Sequence, residues 1–292
     1  MLFAASQTDF AGAHLRSALF LDRAMRMHVM SKHRLRWDSR FAPPSPVVRP
    51  VVTVYVVAAG TMQTGPITTT TPAVWILAET ELERPTRTAR WFRADGDPSM
   101  TIEMRLAASA VRGPIGLAAG PRALAPTTWA SVAALFALTG TAAAGVAPLA
   151  PVRAFLDGLT RDGVLVAPPA LTVDEPVART RLWQAVTPAY DAYATAVTID
   201  QVAATSGRSS RQVRRELKAL AHEFDLFGGN FRHITRLLRL RAAVLLLSAP
   251  AAAVAEVAER VGYGSAVAMA RAFRDADLPT PSDLRALVRF GG

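Results

Sequence analysis

The chain has 292 residues, of which 51% are hydrophobic, which suffices for packed cores and excludes an intrinsically disordered protein. Its 33 Lys and Arg outnumber 23 Asp and Glu, and the net charge of +10 favours a polyanionic partner or an acidic membrane surface, although basic surfaces also serve solubility alone. The absence of cysteine excludes disulfides, thiol catalysis and cysteine-ligated metals, and it fits a cytoplasmic protein.

The first 125 residues predict a β-rich domain, because segments rich in β-branched and aromatic residues alternate with turn sequences, as in a β-sandwich or barrel. HLRSALFLDRAM (14–25) fits either a helix or an early strand. The predicted strands are MRMHVMSKHRLRW (25–37), VVTVYVVAAG (51–60), AVWILAETELE (73–83) and MTIEMRLAA (100–108). Basic residues crowd the start, and the pattern leaves open whether they face DNA, an acidic effector or water: Arg16, Arg23, Arg26, Lys32, Arg34, Arg36 and Arg40.

No catalytic, metal or cofactor site is predicted in this domain. A metal-dependent β-barrel enzyme clusters histidines and a carboxylate around one ion, whereas this half contains three scattered histidines, His14, His28 and His33. His28 and His33 are five residues apart, so on one strand they point to opposite faces. Three glutamates share one strand face, which is most simply a solvated face: Glu79, Glu81 and Glu83. Sequence motifs of hydrolases, phosphate loops and dinucleotide sites are missing.

A small-molecule pocket in the β-rich domain remains possible, since barrels of this size can hold one ligand. Four aromatic residues either line such a pocket or fill the core: Trp37, Tyr55, Trp75 and Trp91. The sequence identifies no effector and no ligand-binding residue.

Two helices are predicted after the β-rich domain, WASVAALFALTG (129–140) and LAPVRAFLDGLTRDG (149–163). No charged residue occurs between Arg122 and Arg153, but prolines and glycines interrupt this stretch, and its apolar helix (129–138) is too short to cross a bilayer. No membrane span is therefore predicted. PALTVDEPV (169–177) is the predicted interdomain linker, and RLWQAVTPAYDAYATA (181–196) is a helix that leads into the next domain.

The segment TIDQVAATSGRSSRQVRRELKAL (198–220) predicts a helix-turn-helix. Thr198 and Ser209 are predicted N-caps of its two helices, and Gly207 is the residue of the turn. Ile199, Val202 and Ala203 form the buried face of the first helix.

A second helix-turn-helix is predicted in the segment 250–285. Four apolar residues form one stripe of its first helix: Val254, Val257, Ala258 and Val261. Gly262 ends that helix, Ser265 caps the next, and Met269 and Phe273 stand four residues apart facing inward.

The strings EVAERVGY (256–263), RAFR (271–274) and TPSDLR (280–285) resemble the second helix-turn-helix of AraC/XylS-type transcription regulators. The resemblance covers about the last 100 residues; Leu278 stands where the family usually has a glycine. It implies a first helix-turn-helix upstream, found at 198–220, and a linker helix, matched by LLRLRAAVLLL (237–247). The longer intervening AHEFDLFGG (221–229) is interpreted as an extension of the recognition helix that ends at Gly228 and Gly229. The family commonly carries an N-terminal cupin-like β-barrel, and the segment after it often supplies a dimer interface.

The predicted DNA contacts lie on the second helix of each motif. In the first, a basic stripe recurs at helical spacing and includes residues that can pair with guanine or adenine edges; the predicted residues are Arg208, Ser210, Arg211, Gln212, Arg214, Arg215 and Lys218. Without the motif context, the simpler interpretation of this stripe is a solvated face that touches only phosphates; the helix-turn-helix context favours base contact by at least one of Arg211, Gln212 and Arg215. In the second, the outward residues are mostly small and apolar: Ser265, Ala266, Val267, Ala270, Arg271 and Arg274. The first motif is therefore predicted to supply most of the specificity, and the second to position and clamp.

The sequence thus predicts an α+β multidomain protein. A cupin-like β-barrel with following helices occupies 1–168, a linker 169–178, and an all-α domain of two helix-turn-helix motifs joined by a linker helix 179–292. The predicted function is that of a cytoplasmic transcription regulator that binds double-stranded DNA, forms a homodimer through its N-terminal domain and responds to a small molecule. The alternative keeps this architecture but places control in a protein partner or in the oligomeric state.

Overall fold

The computed structural model describes residues 1–43, 51–64, 67–78, 92–140, 143–172, 174–191, 197–224 and 231–290. The N-terminal part is an antiparallel sheet whose strands run in the order β6-β5-β8-β3-β2-β1-β9, with β4 paired to β8 and β7 to β5. These strands are β1 (Leu2–Phe10), β2 (Ala13–Leu21), β3 (Met25–His33), β4 (Trp37–Asp38), β5 (Val51–Thr64), β6 (Ile67–Thr70), β7 (Ala73–Ala78), β8 (Phe92–Ala107) and β9 (Ala143–Val146). The prediction of a β-rich domain is confirmed.

The ambiguous segment at 14–25 is a strand as far as Leu21. Ala13, Leu15 and Ser17 are buried while His14 and Arg16 are exposed, and this alternation fits the period of a strand rather than that of a helix. The preceding residues form β1, for which the sequence analysis gave no prediction.

The segment RADGDPS (93–99) is one of the turn sequences predicted between the strands at 73–83 and 100–108. It instead forms most of the first half of the long strand β8. It pairs with β5 through register shifts between Val57 and Thr61. Gly60 makes this pairing possible, because a Cβ atom there would lie 2.2 Å from the carbonyl oxygen of Asp95. The turn-forming residues of this segment therefore do not mark a loop. They lie where the pairing of β5 and β8 is irregular.

One face of the sheet is apolar and packs against two helices, α1 (Pro126–Ala137) and α2 (Leu149–Arg161). Phe3, Phe20 and Ile102 on the strands share a core with Leu135 and Phe155 on the helices. Both helices were predicted, and the structure places their apolar stripes on the sheet.

The C-terminal part is helical. Its helices are α3 (Val177–Asp191), α4 (Ile199–Ser206), α5 (Ser210–Glu223), α6 (Phe231–Leu246), α7 (Val254–Arg260), α8 (Ala266–Arg274) and α9 (Pro281–Phe290). Helices α4 and α5 form the first helix-turn-helix, α7 and α8 form the second, and α6 connects them, as the sequence predicts. The proposed extension of α5 holds as far as Glu223; residues 225–230 lie outside the described part of the chain.

The caps and turns of both motifs are confirmed. Thr198 and Ser209 accept hydrogen bonds from the backbone N–H groups of Gln201 and Gln212, and Gly207 adopts the left-handed conformation that ends α4. In the second motif Ser265 accepts from the Ala268 N–H group. The residue before Leu278, Asp277, has φ 53°, so it takes the left-handed position near the site where the family usually has a glycine.

Both helix-turn-helix motifs pack on the face of the sheet opposite α1 and α2, and they share one hairpin. Leu2 and Leu21 of the β1–β2 hairpin lie in the core of α3, α4 and α5. Leu15 of the same hairpin lies in the core of α7 and α8. Trp183 on α3 is fully buried and donates its indole N–H to the Phe3 carbonyl oxygen at 2.9 Å.

The predicted linker has no regular secondary structure in its described residues up to 176, its last residues begin α3, and it is held to the turn between β2 and β3. The Thr172 N–H group donates to Asp22 at 2.8 Å. Arg23 donates to Glu175 at 2.8 Å. Within the described residues no helix is long and apolar enough to cross a membrane.

Candidate nucleic-acid interface

Helix α5 is divided into a buried and a basic face, as a recognition helix requires. Val213, Leu217 and Leu220 are buried in the core of the first motif. The predicted contact residues on the other side are exposed: Arg211, Gln212, Arg214, Arg215 and Lys218. Long donors therefore project into solvent from a helix that is anchored behind, and arginine can pair with the O6 and N7 atoms of guanine.

Gln212 has a structural role in addition to its predicted contact with DNA. Its side-chain oxygen accepts a hydrogen bond from the Ser209 N–H group at 3.0 Å, while the Ser209 hydroxyl accepts from the Gln212 N–H group at 3.3 Å. This reciprocal pair fixes the N-terminus of α5. A two-bond contact with adenine would require the side-chain half of this capping box to open.

Two of the predicted contact residues are engaged within the protein. Arg208 is partly buried, forms an ion pair with Glu216 and donates to the Ala178 carbonyl oxygen at 2.9 Å. The Ser210 hydroxyl donates to Asp200 at 2.6 Å. In this conformation both side chains join the elements of the first motif to each other rather than extend toward a ligand.

Helix α8 presents a different surface. Val267 is 70% exposed, and Ala266 and Ala270 are partly exposed beside it. The basic residues Arg271 and Arg274 are also exposed. An apolar surface of this kind offers no hydrogen bonds and can at most contact a thymine methyl group.

Residues of the N-terminal part lie near the C-terminal ends of both α5 and α8. Glu223, the last residue of α5, is paired with Arg23 of the β2–β3 turn. Arg274, the last residue of α8, lines a cleft of about 570 Å³ together with Arg40 and Phe41, which follow β4. The C-terminal residues of α5 and α8 therefore both lie beside residues of the N-terminal part.

Most basic residues at the start of the chain are used internally. Arg23 forms ion pairs with Glu175 and Glu223, Arg36 with Asp95, and Arg40 with Asp38. Lys32 and Arg26 are buried. The structure thus places little of this positive charge on a surface that could face DNA.

A buried cluster of charges lies at the centre of the sheet, on the face that carries the helix-turn-helix motifs. Glu103 on β8 is surrounded by Arg105 at 3.1 Å, Arg26 at 3.4 Å and, from α6, Arg241 at 3.8 Å. Burial raises the pKa of Glu103, but these guanidinium groups outweigh it and lower the pKa to about 2. Arg241 also lies over the ring of Trp37, 5.1 Å from its centroid.

Lys32 stands beside this cluster and is 1% exposed. Its ammonium group donates to the Thr101 hydroxyl at 2.9 Å, and no carboxylate forms an ion pair with it among the residues described. Burial lowers the pKa of Lys32 to about 8, and burial likewise lowers that of His28 to about 4. The burial of these charges cannot be predicted from the sequence, because alternating charged residues on a strand are typical of a solvated face.

Three buried polar atoms on this face have no hydrogen-bond partner in the described part of the protein. They are the hydroxyl groups of Thr53 and Ser99 and the indole nitrogen of Trp75. Ser99 is the direct cross-strand partner of Lys32, and Trp75 that of Tyr55. Buried polar groups without partners are rare in proteins, and a bound molecule or ordered water commonly satisfies them.

The aromatic residues considered as pocket or core are mostly brought together. Trp37, Tyr55 and Trp75 share one small cluster at the edge of this polar face. Trp91 lies outside the described residues, as do Glu79, Glu81 and Glu83. His14 and His33 are close to each other, with ring centroids 6.4 Å apart, but they pair with Asp9 and Asp97 on the surface. No three potential metal ligands cluster in the residues that could be searched.

No family model matches this chain, and no curated protein matches its sequence. Among solved structures, the 1.65 Å structure of ToxT from Vibrio cholerae is similar over 92% of this chain and 100% of its own, with a TM-score of 0.38 and 9% identity. The structure of wild-type ToxT from Vibrio cholerae strain SCE256 with a bound unsaturated fatty acid is similar over 94% of this chain and 98% of its own. Its TM-score is 0.35 and its sequence identity is 10%.

The AraC-like transcriptional activator CuxR covers 78% of this chain and 79% of its own, with a TM-score of 0.29 and 11% identity. CuxR is of the type that the sequence motifs resemble. At such TM-scores and identities, the function proposed below rests on the residues of this chain alone.

Proposed function

We propose that this protein is a sequence-specific DNA-binding regulator of transcription that acts in the cytoplasm. The observation that supports it is the pair of helix-turn-helix motifs joined by α6, in which α5 buries one apolar face and exposes a basic stripe on the other. Two such helices reach successive major grooves on one face of the duplex, about 34 Å apart. The exposed basic stripe of α5 supplies the donors for base edges and phosphates.

The two recognition helices contribute unequally in this proposal. Helix α5 reads bases through Arg211, Arg215 and, when its capping box opens, Gln212. Helix α8 has one exposed candidate for base contact, Arg271, beside an apolar surface, so the second motif mainly positions the protein on DNA. Arg208 and Ser210 act through the internal contacts that hold the first motif together.

The test is selection of the full chain against a pool of random duplexes at two salt concentrations, followed by sequencing of the bound fraction. We expect a motif in two parts, about one helical turn apart, with the stronger sequence preference under the first motif. Binding of all duplexes alike, with a steep dependence on salt, would contradict sequence-specific recognition.

Alanine variants test the asymmetry. Arg211→Ala with Arg215→Ala should remove sequence preference, whereas Arg271→Ala should weaken binding to all sequences about equally. The asymmetric model is wrong if Arg271→Ala abolishes preference while the other pair of substitutions lowers affinity uniformly.

We also propose that a small molecule with an anionic group controls the protein through the sheet. The candidate site is the polar face around Lys32, where a buried ammonium group and unpartnered hydroxyl and indole groups lie beside aromatic residues. A ligand there would lie next to Glu103 and Arg241, and therefore next to the contact between the sheet and α6. The N-terminal domain is also the proposed homodimer interface.

Thermal unfolding in the presence of a panel of small carboxylates and phosphates tests the effector, because a ligand that binds only the folded state raises its apparent stability. Stabilisation of the wild type that is lost in Lys32→Met would support the site. If no compound stabilises the protein but its DNA affinity depends on protein concentration through association, control lies in the oligomeric state. Sedimentation of the full chain measures that association.

A further inference from the structure

Helix α6 carries a basic stripe that the predicted DNA contacts do not include. Arg232, Arg236 and Arg239 recur at i, i+4 and i+7, so they share one face of the helix. Arg232 and Arg236 are exposed and Arg239 is partly exposed. We call these three residues the linker-helix stripe.

The sequence of α6 contains no acidic residue to balance this charge. Its 16 residues, FRHITRLLRLRAAVLL, include arginines and a histidine but no Asp or Glu. Carboxylates three or four residues away would stabilise the helix by pairing with these cations, and α6 has none. One partner comes from elsewhere: Arg236 lies 3.7 Å from Asp275, with both side chains about half exposed. Among the described residues, neither Arg232 nor Arg239 forms an ion pair.

The position of Arg241 shows which way the linker-helix stripe faces. Arg241 follows Arg232 by nine residues, which is two and a half turns of an α-helix, so the two side chains lie on opposite sides of α6. Arg241 contacts the sheet through Glu103 and Trp37. The stripe therefore faces away from the sheet.

The linker-helix stripe also borders the second motif. Arg236 lies 3.7 Å from Asp275, the residue that directly follows α8. Because α6 joins the two motifs, a duplex that contacts both α5 and α8 passes close to this helix. Helix α6 is about 24 Å long at 1.5 Å per residue, so it spans much of the roughly 34 Å that separates the two grooves.

We propose that the linker-helix stripe binds the sugar-phosphate backbone of DNA between the grooves occupied by α5 and α8. This inference rests on the proposed DNA-binding function and adds a third point of contact to it. The contact is with phosphates, so it contributes affinity and register but no sequence preference. Arg236 exchanges its solvent-screened pair with Asp275 for a phosphate when DNA is bound.

The test compares two double variants of the full chain that remove the same charge. Arg232→Gln with Arg239→Gln alters the stripe. Arg153→Gln with Arg161→Gln is the matched control, because both residues are exposed on α2, at the opposite face of the sheet. Affinity for a duplex of mixed sequence, and for any duplex enriched by selection, is measured over a series of salt concentrations.

We expect the slope of log affinity against log salt to decrease in magnitude by about 1.8 for the stripe variant, or roughly 0.9 for each lost phosphate contact. The control variant should keep the wild-type slope, and sequence preference should be the same in all three proteins. A stripe variant that keeps the wild-type slope while the wild type binds DNA would overturn this inference alone. Failure of the wild type to bind any duplex would instead overturn the proposed function.

Unfolding in urea checks that both variants fold, which their exposed positions lead us to expect. If the double variant is unstable, the single variant Arg232→Gln gives the same test, with an expected change of about 0.9 in the slope.

Discussion

The guanidinium group of Arg241 on α6 lies 3.8 Å from the carboxylate of Glu103 on β8, the strand between β5 and β3. Glu103 also pairs with Arg105 and Arg26 at shorter distances. One buried carboxylate therefore joins two strands of the sheet to the helix that connects the two motifs. This charge therefore lies at the contact between α6 and the sheet.

Glu103→Gln should destabilise the protein by about 3–5 kcal/mol, because it leaves buried guanidinium groups with one carboxylate fewer. Unfolding in urea at pH 7 measures the loss. Asp157→Asn, on the exposed face of α2, is the matched control and should have little effect. Equal stability of the two variants would show that Glu103 does not hold the interface.

Because of the carboxylate of Glu103, we expect the unfolding free energy to depend on pH in the acidic range. The pKa of Glu103 is lowered from an ordinary value of 4.5 to about 2 by the neighbouring arginines, which outweigh its burial. Its stabilisation is therefore fully present above pH 4.5 and is lost as the pH falls toward 2. Over this window the unfolding free energy of Glu103→Gln should decline less steeply than that of the wild type.

Lys32 predicts a rise in stability on the alkaline side. Its pKa is lowered by burial from 10.5 to about 8, so the unfolded chain binds more protons than the folded one between these values. The unfolding free energy should therefore increase from pH 8 toward pH 10. Above pH 10 the raised pKa of Tyr55 works in the opposite direction, because the unfolded tyrosine then ionises more readily.

Lys32→Met should remove this alkaline rise and raise stability at pH 7, since it eliminates a buried charge. Lys218→Met is the natural control, because Lys218 is exposed and is the one other lysine of the chain. The account of Lys32 fails if the two methionine variants show the same pH dependence.

Substitutions at Gln212 and Ser209 can separate the capping of α5 from the proposed contact of Gln212 with adenine. Gln212→Glu keeps an oxygen that can accept from the Ser209 N–H group, so stability should stay within about 0.5 kcal/mol of wild type. It removes the amide donor that adenine requires, so adenine preference at one position of the selected sequence should disappear. Ser209→Ala, in contrast, should cost about 1 kcal/mol of stability through loss of the cap. Retained adenine preference in Gln212→Glu would assign that contact to another residue.

Substitutions of Trp183 measure how much its contact with the sheet contributes to the free energy of unfolding. Trp183→Phe removes the hydrogen bond to the Phe3 carbonyl oxygen and should destabilise by about 1–3 kcal/mol, since that oxygen is left buried without this donor. Trp183→Ala also creates a cavity, and its cost should reach about 3–5 kcal/mol. Hydrogen exchange of the amides in α3 and β1 would locate the loss, which should be concentrated in these two elements.

The sequence was most informative where local chemistry alone sets the structure. Thr198, Gly207 and Ser209 act within one or two turns of the chain, and each has the role that its residue type predicts. The buried faces of both motifs follow in the same way, because helical periodicity is a local property.

The sequence-based predictions were wrong where the structure depends on contacts between residues that are far apart in the chain. The segment before Pro98 contains turn-forming residues, yet it is a strand, because Gly60 on another strand permits the close pairing. Lys32 and Glu103 alternate with apolar residues as a solvated face would, and only the helices packed on the sheet bury them. The internal contacts of Arg208 likewise depend on Glu216 and on the backbone of α3, which the spacing of the basic residues does not reveal.

The β1–β2 hairpin sets the distance between the two motifs. Leu21 belongs to the core of the first motif and Leu15 to that of the second, and they are six residues, or about 20 Å, apart on one strand. Under the proposed function, this hairpin would fix the phase of α5 and α8 along a bound duplex, because a strand stretches and bends little. Substitutions in the hairpin would then change the preferred spacing of the two half-sites without altering a residue of α5 or α8.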